Sequence, residues 1–271
     1  MIRQAIIPLA GLGTRLLPLT SVYAKELLPI NGKVGLEYIL DECIDAGIKE
    51  IILIISNRKK IIKKYFYNDQ FFKRIIKTKK DQRILNEYKK IKKYKKIIKF
   101  VYQNEPKGTG DAVLKTKNKV KDNYFLMILP DDLIIKKNCS KDMISIHNKL
   151  KCSVMASMKV KKKNVMRWGI YSKKKMINKN NFYINDVVEK PNIKSAPSNN
   201  AVIGRYILPK KIFKTLLKQT KGKGGEIHIT DSIRKLIKDG EKFIGHNFKG
   251  KYLDCGSMDG YIKSSLEISI K

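Results

Sequence analysis

Gly11 and Gly13 close an apolar run, Gln4-Ala5-Ile6-Ile7-Pro8-Leu9-Ala10, and are followed by Thr14, Arg15 and, after a gap, Lys25-Glu26-Leu27-Leu28-Pro29. A glycine-rich turn at the carboxyl end of the first strand is where an open α/β sheet binds a nucleotide. Two glycines bring backbone N–H groups close to phosphate oxygens. Arg15 and Lys25 add fixed positive charge for a polyphosphate. The turn is not a dinucleotide fingerprint, because Leu16 stands where a third glycine belongs, and no Gly-Lys-Ser/Thr follows to make a P-loop.

Four further positions hold useful donors and acceptors. Asp131 ends the apolar run Ile128-Leu129-Pro130-Asp131-Asp132. A carboxylate at the carboxyl edge of a parallel strand faces the ligand crevice, and beside a triphosphate its chemistry suits Mg2+, a hard cation that takes oxygen ligands. The plainer reading of such an aspartate is a turn or a helix cap. Asp254, in Leu253-Asp254-Cys255-Gly256, reads by itself as a cap for a closing helix. Glu189-Lys190-Pro191 follows a strand and offers a carboxylate for sugar hydroxyls and an ammonium for a phosphate. Gln103, ending Phe100-Val101-Tyr102, has an amide able both to donate and to accept, as reading a pyrimidine edge requires, and Gly108-Thr109-Gly110 follows it.

The elements that must position these groups alternate between strand and helix. Strands are expected over 4–10, 50–55, 97–102 and 124–129, and helices over 36–46, 59–72, 81–94 and, after a loop with Gly108-Thr109-Gly110, through about Lys117. The Glu50–Ile55 run has no polar alternation, as in a strand buried on both faces. This βαβ rhythm predicts a mostly parallel sheet with right-handed crossovers. Beyond residue 135 the pattern turns mixed. Short strands are expected at 153–159, 169–172, 183–188, 202–207 and 243–248, with helices at 210–217, 230–238 and 257–269. With no linker-like segment between, the expectation is one α/β domain over 1–271, with a nucleotide half (1–135) and a sugar-phosphate half (136–271).

Composition narrows the classes. Net charge is +35, from 59 Lys and Arg against 24 Asp and Glu. The densest stretch, Arg58 to Lys99, holds 18 basic and 3 acidic residues. Lysine outnumbers arginine throughout and travels with isoleucine and asparagine, the bias of AT-rich coding. The charge therefore reads as solvated helix faces that attract anionic substrates, and no specific nucleic-acid partner is expected. The four cysteines, Cys43, Cys139, Cys152 and Cys255, show no CxxC spacing and no cluster with His147, His228 or His246, so no zinc site is expected. No apolar run approaches about eighteen residues and the N-terminus has no signal-peptide pattern; the expectation is a cytoplasmic protein with no membrane partner.

Taken together, these residues resemble the sugar-phosphate nucleotidyltransferases, specifically the bacterial UTP–glucose-1-phosphate uridylyltransferases. The resemblance covers the chain from about Gln4 onward. It rests on AGLGTR, KELLP, Glu42 to Ile48, Lys107 to Leu114, ILPD, VVEKP, Ala196 to Leu208, GGEIHITD (Gly224 to Asp231) and the stretch Asp254 to Tyr261. It implies a nucleotidyltransferase (GT-A-like) α/β fold, Mg2+ dependence, and in-line transfer of a uridylyl group from UTP to glucose 1-phosphate. It also implies roles. Ala10, Gly11, Gln103 and Gly108 bind uracil, Gly13 and Thr14 complete the nucleotide loop, and Arg15 and Lys25 bind UTP phosphates. Asp131 holds Mg2+, with Asp254 as candidate second ligand. Gly169, Glu189 and Lys190 bind glucose 1-phosphate. Glu26 and Glu226 face the nucleotide and the sugar respectively. Arg15, Lys25, Asp131 and Lys190 form the catalytic set. A homo-oligomer, dimer or tetramer, is implied as well. The sequence departs from the family pattern at Trp168, Asp132 and Ser257-Met258-Asp259. Transfer of thymidylyl instead of uridylyl uses the same residues, because thymine and uracil present the same hydrogen-bonding edge.

Overall fold

The computed structural model describes residues 1–220, 222 and 225–269; Gly224, which opens the GGEIHITD stretch, lies outside them. In chain order the elements are β1 (Gln4–Pro8), β2 (Pro29–Ile30), β3 (Lys33–Val34), α1 (Gly35–Asp45), β4 (Glu50–Ile55), α2 (Lys60–Tyr67), α3 (Asp69–Lys79), α4 (Gln82–Ile97), β5 (Ile98–Tyr102), α5 (Thr109–Leu114) and β6 (Tyr124–Ile128). There follow β7 (Asp132–Ile135), α6 (Cys139–Leu150), β8 (Ser153–Lys159), β9 (Gly169–Met176), β10 (Asn181–Glu189), β11 (Asn200–Pro209), α7 (Ile212–Lys218), α8 (Ile229–Lys238), β12 (Phe243–Asn247), β13 (Lys251–Asp254) and α9 (Met258–Ser269).

Nine strands form one mixed sheet in the order β5-β4-β1-β6-β11-β8-β12-β10-β9. The first four are parallel, with Gln4 opposite Glu50 and Ile51 opposite Ile98. β11 reverses direction and pairs antiparallel with both β6 and β8. At the far end β9 curls back to meet β11 at Ala201 and Ile170. Strands from both halves of the chain thus share one sheet.

The apolar strands feed two cores by simple alternation. Ile6, Ile52 and Ile54 face a layer with α5, α7 and α8, including Val113, Phe213 and Ile233. Ala5, Ile7, Ile51 and Leu53 face the opposite layer with α1, α2, α4 and α6, including Leu40, Phe66, Tyr94 and Met143. Each such side chain, removed from water, contributes roughly 1.5–3 kcal/mol before entropy is charged against it.

The basic stretch folds as an arm on the α1 side. The single helix expected over 59–72 is instead two, broken at Asn68 (φ −84°, ψ 56°). Asp81 then caps α4 by accepting from the Arg83 and Ile84 N–H groups. None of the α3 side chains is buried, whereas α4 buries Tyr88, Ile91 and Tyr94. Buried Glu37 on α1 receives Tyr65 and Lys90, and Asp41 receives Tyr94 and Lys33, so the arm is moored by carboxylates rather than by apolar contact alone. No described helix is long and apolar enough to cross a membrane.

The bounds of β9 and β10 move, and β2, β3, β7, α6 and β13 were absent from the expectations. β9 and β10 run longer than expected because they pair as a hairpin; the added end of β9 is the Lys-rich Lys173–Met176, which carries little apolar signal. Helix α6 and the β7–β13 pair were not anticipated: DLII and KYLD are four residues each, too short to announce a period.

Candidate active site

Gly13 has φ +73°, a conformation that favours glycine, and starts a short 3-10 turn over Thr14–Leu16. The Thr20 hydroxyl donates to the Gly13 carbonyl at 2.9 Å and holds the loop folded. A cavity of about 500 Å³ opens above the carboxyl ends of β1, β5 and β6. Ala10, Gly11, Gly13, Thr14, Lys25, Glu26, Gln103, Gly108, Asp131 and Glu226 all line it. Ten sequence-nominated residues therefore meet in one place. A second cavity of about 600 Å³ adjoins it, sharing Thr109, Leu129 and Glu226, and is lined by Gly169, Glu189 and Lys190. Glu226 borders both.

Asp131 is the electrostatic centre of the first cavity. Its Oδ2 accepts from Lys25 Nζ at 2.9 Å and from Arg15 Nη2 at 3.3 Å. Burial alone would raise its pKa, but the Lys25 ammonium, with Arg15, holds it below the usual carboxylate value. Lys25 responds in kind: burial works against its charge, yet Asp131 and Glu26 hold its pKa above normal. Gly256 is what admits this contact, since a Cβ there would stand 2.7 Å from Arg15 Nη2 and 2.9 Å from Asp131 Oδ2.

Asp132 has the opposite fate. Its Oδ2 accepts from the Gly204 N–H (2.8 Å) and its Oδ1 from the Tyr252 hydroxyl (2.7 Å). Burial, then the neighbouring Asp131 charge, push its pKa up to about 6. Asp132 ties β7 to β11 and β13, and a Cβ on Gly204 would lie 2.7 Å from its Oδ2. The departure from the family pattern at this position is thus a structural tie. β13 lies antiparallel to β7 with Asp254 opposite Asp132, and the Cys255 N–H donates to the Asp131 carbonyl. That pairing brings Asp254 beside Asp131 from 123 residues away. Asp254 is not the cap of α9: the Ser257 hydroxyl accepts from the Gly260 N–H there, and Asp254 pairs with Arg167 at 3.2 Å.

The donor set fits a small hard cation. Asp131 is kept ionised, and Asp254 offers a second carboxylate. Among the described residues no three His, Cys, Asp or Glu side chains form a metal-sized cluster. A cation held by these two carboxylates would need further oxygen ligands from a bound molecule.

Glu26 does not present a free carboxylate to the nucleotide. It is 4% exposed and takes both oxygens to Lys59 Nζ (2.8 and 2.9 Å), which also donates to the Leu9 carbonyl at 2.7 Å. This pair braces the segment that carries Lys25, and burial lowers the Lys59 pKa. Gln103 is also more constrained than its type implies. Its Nε2 donates to Asp111 Oδ2 (2.7 Å) and to the Gly108 carbonyl (3.1 Å), which uses both amide hydrogens and leaves Oε1 as an acceptor. Gly108 has φ +97°, and a Cβ there would lie 2.6 Å from the Ile227 carbonyl oxygen; the glycine is needed for packing against the Glu226 segment.

In the second cavity the β9–β10 ladder sets Gly169 opposite Glu189. A Cβ on Gly169 would come within 3.2 Å of Glu189 Oε2. The Lys190 N–H donates to the Trp168 carbonyl at 3.1 Å with Lys190 at φ +44°, fixing the turn from which its side chain rises.

Beneath both cavities lies an ion pair that residue types did not announce. Arg205 is fully buried, and its Nε and Nη2 donate to the Glu42 carboxylate, the Nη2 contact at 2.8 Å. Its Nη1 donates to the carbonyls of Gly204 (3.1 Å) and Leu129 (3.4 Å), and Glu42 also accepts from Ser140. Glu42 and Arg205 sit inside stretches that carried the family resemblance, but nothing local to either reveals the partner.

A model of the family described as nucleotidyl transferase matches residues 4–270. A UTP–glucose-1-phosphate uridylyltransferase of Pseudomonas aeruginosa is 35% identical over 271 residues, covering 98% of this chain and 95% of its own. Among solved structures, a UDP-glucose pyrophosphorylase complexed with UDP-glucose superposes with TM-score 0.87 at 35% identity, covering 99% of both chains. A UTP-bound UGPase from Acinetobacter baumannii gives TM-score 0.87 at 32% identity, over 99% of this chain and 93% of its own.

Proposed function

The chain belongs to the nucleotidyl transferase family, and on that premise we propose that it transfers the uridylyl group of UTP to α-D-glucose 1-phosphate, yielding UDP-glucose and pyrophosphate. The observation that carries this reading is the pair of adjoining cavities with a common wall at Thr109, Leu129 and Glu226, and with Asp131 in one and Asp132 in the other. One takes a nucleoside triphosphate and the other a sugar phosphate, with the reacting phosphorus between them.

The nucleophile is a phosphate oxygen of glucose 1-phosphate, already anionic at neutral pH. It attacks the α-phosphorus of UTP in line, and the bond to the pyrophosphate leaving group breaks. No protein base is required, so the residues act by positioning and by neutralising charge. Gln103 Oε1 accepts the uracil N3–H, and the backbone at Ala10, Gly11 and Gly108 packs against the base. Gly13 and Thr14 turn the loop under the triphosphate, and Arg15 and Lys25 face its oxygens. Glu189 accepts from sugar hydroxyls across Gly169, Glu226 closes the sugar side, and Lys190 holds the sugar phosphate. Asp131 and Asp254 are the residues to hold a divalent cation, proposed as Mg2+, which when bound supplies charge neutralisation at the phosphates.

The proposal includes a single catalytic domain, a cytoplasmic location and self-association as a dimer or tetramer. Exposed Ile262 and Leu266, one turn apart on α9, are apolar surface that supports the last point.

Pyrophosphate release tests the reading, with purified protein, Mg2+, and UTP or dTTP against glucose-, galactose- and N-acetylglucosamine-1-phosphate. Release confined to UTP with glucose 1-phosphate, and abolished by EDTA, is expected. Release with another pair overturns the specificity, and no release from folded protein overturns the reaction.

A further inference from the structure

Two cationic side chains other than histidine, Lys190 and Arg167, line the second cavity among the described residues, against the acidic side chains of Asp132, Glu189, Glu226 and Asp231. A sugar 1-phosphate entering there brings further negative charge. Lys190 by itself is a poor match for a dianion among so many carboxylates.

Arg167 is built for that phosphate. It ends a short 3-10 segment, Lys162–Arg167, one residue short of β9. Its guanidinium Cζ lies over the Trp168 ring, 4.9 Å from the centroid, within cation–π range. Its Nη2 donates to Asp254 Oδ2 at 3.2 Å, while the side chain stays 59% exposed. A guanidinium carries five N–H donors, so this one contact leaves an edge for a second anion. Because the Lys190 N–H is bonded to the Trp168 carbonyl, Arg167, just before β9, and Lys190, just after β10, sit at the same end of that hairpin.

Resting on the uridylyl-transfer reading above, we infer that Arg167 is a second phosphate-binding residue for the sugar 1-phosphate. It holds Asp254 while the cavity is empty and engages the phosphate when the substrate enters. The ion pair with Asp254 also gives that carboxylate a partner before a cation competes for it. Arg167 thereby links sugar-phosphate binding to the metal carboxylates.

The chain contains one tryptophan, Trp168, so its emission reports on the side chain stacked over it. Glucose 1-phosphate is titrated into the wild type, Arg167→Ala and Arg167→Lys with emission as the readout and no UTP present, with glucose as control. Steady-state KM values for both substrates are measured in parallel. In Arg167→Ala the KM for glucose 1-phosphate is expected to rise about tenfold or more, with the UTP KM within about twofold. Arg167→Lys recovers part of the loss. The wild-type emission change on adding glucose 1-phosphate, absent with glucose, disappears in Arg167→Ala. An unchanged glucose 1-phosphate KM, or an equal rise in the UTP KM, overturns the inference. A wild type that binds glucose 1-phosphate through Arg167 but releases no pyrophosphate overturns the reaction and leaves the binding role standing.

Discussion

The two cavities are assembled by different means. The first cavity is largely local: Ala10 to Thr14, Lys25 and Glu26 come from one segment after β1, with Gln103 and Asp131 just past the ends of parallel strands and Gly108 at the start of α5. The second cavity is built across distance. Arg167 and Gly169 come from around the start of β9, Glu189 and Lys190 from around the end of antiparallel β10, and Gly204 from β11, while Asp254 reaches Arg167 through a four-residue strand near the C-terminus. Local assembly uses glycine conformation and helix termini; distant assembly uses buried ties such as Asp132–Gly204 and Asp132–Tyr252. A chemical role can thus be shared by two regions that differ in how much of the fold each depends on.

The largest effect tests whether the two sides meet at one point. Asp131→Asn keeps the shape of the side chain but removes the charge facing Lys25 and Arg15. Turnover should fall about 10³-fold, with far-UV circular dichroism unchanged and both KM values measurable. Full activity in this variant would deny Asp131 the central position.

A matched pair of smaller changes separates the sides. Gly108→Ala forces a side chain to φ +97° and against the Ile227 carbonyl. The KM for UTP should rise about tenfold with that for glucose 1-phosphate little changed. Gly169→Ala presses instead on Glu189, and a rise of several-fold should fall on glucose 1-phosphate. If both variants raise both KM values equally, the division into two cavities has no functional meaning.

The smallest effect concerns pH and falls on the antiparallel side, which carries all three histidines. Burial lowers the pKa of His147 and of His246 below 6.5. The unfolded chain then binds more protons just below pH 6.5, so stability is full above that value and declines as pH falls toward the folded-state values. Denaturant unfolding of His246→Asn should show a shallower decline below pH 6.5, by under about 1 kcal/mol. An identical slope would mean that His246 does not contribute.

The same contrast explains what could be read from residues alone. GLGTR, Lys25 and Asp131 were legible because their neighbours in space are neighbours in sequence or lie at the ends of strongly apolar strands. The parallel half of the sheet followed from the βαβ rhythm for the same reason. Arg167 looked like one more cation in a chain with 59 Lys and Arg. The tie from Asp132 to Gly204 spans 72 residues, and the pairing of β7 with β13 joins two segments too short to show periodicity. Glu26 lines the first cavity as the resemblance implied, but its partner was not legible: Lys59, 33 residues on, claims both of its oxygens.

The buried pair of Glu42 and Arg205 bears on how freely relatives of this enzyme can exchange parts. One member belongs to each half of the chain, and together they hold the carbonyls of Leu129 and Gly204. A hybrid joining the first half of one relative to the second half of another keeps the fold only if both charges cross the junction as a matched set. A mismatch leaves one ion buried without its counter-ion, at a cost of about 3–5 kcal/mol, much of the stability that an ordinary domain possesses. Recombination at the boundary between the two cavities is therefore restricted by a contact that neither substrate touches.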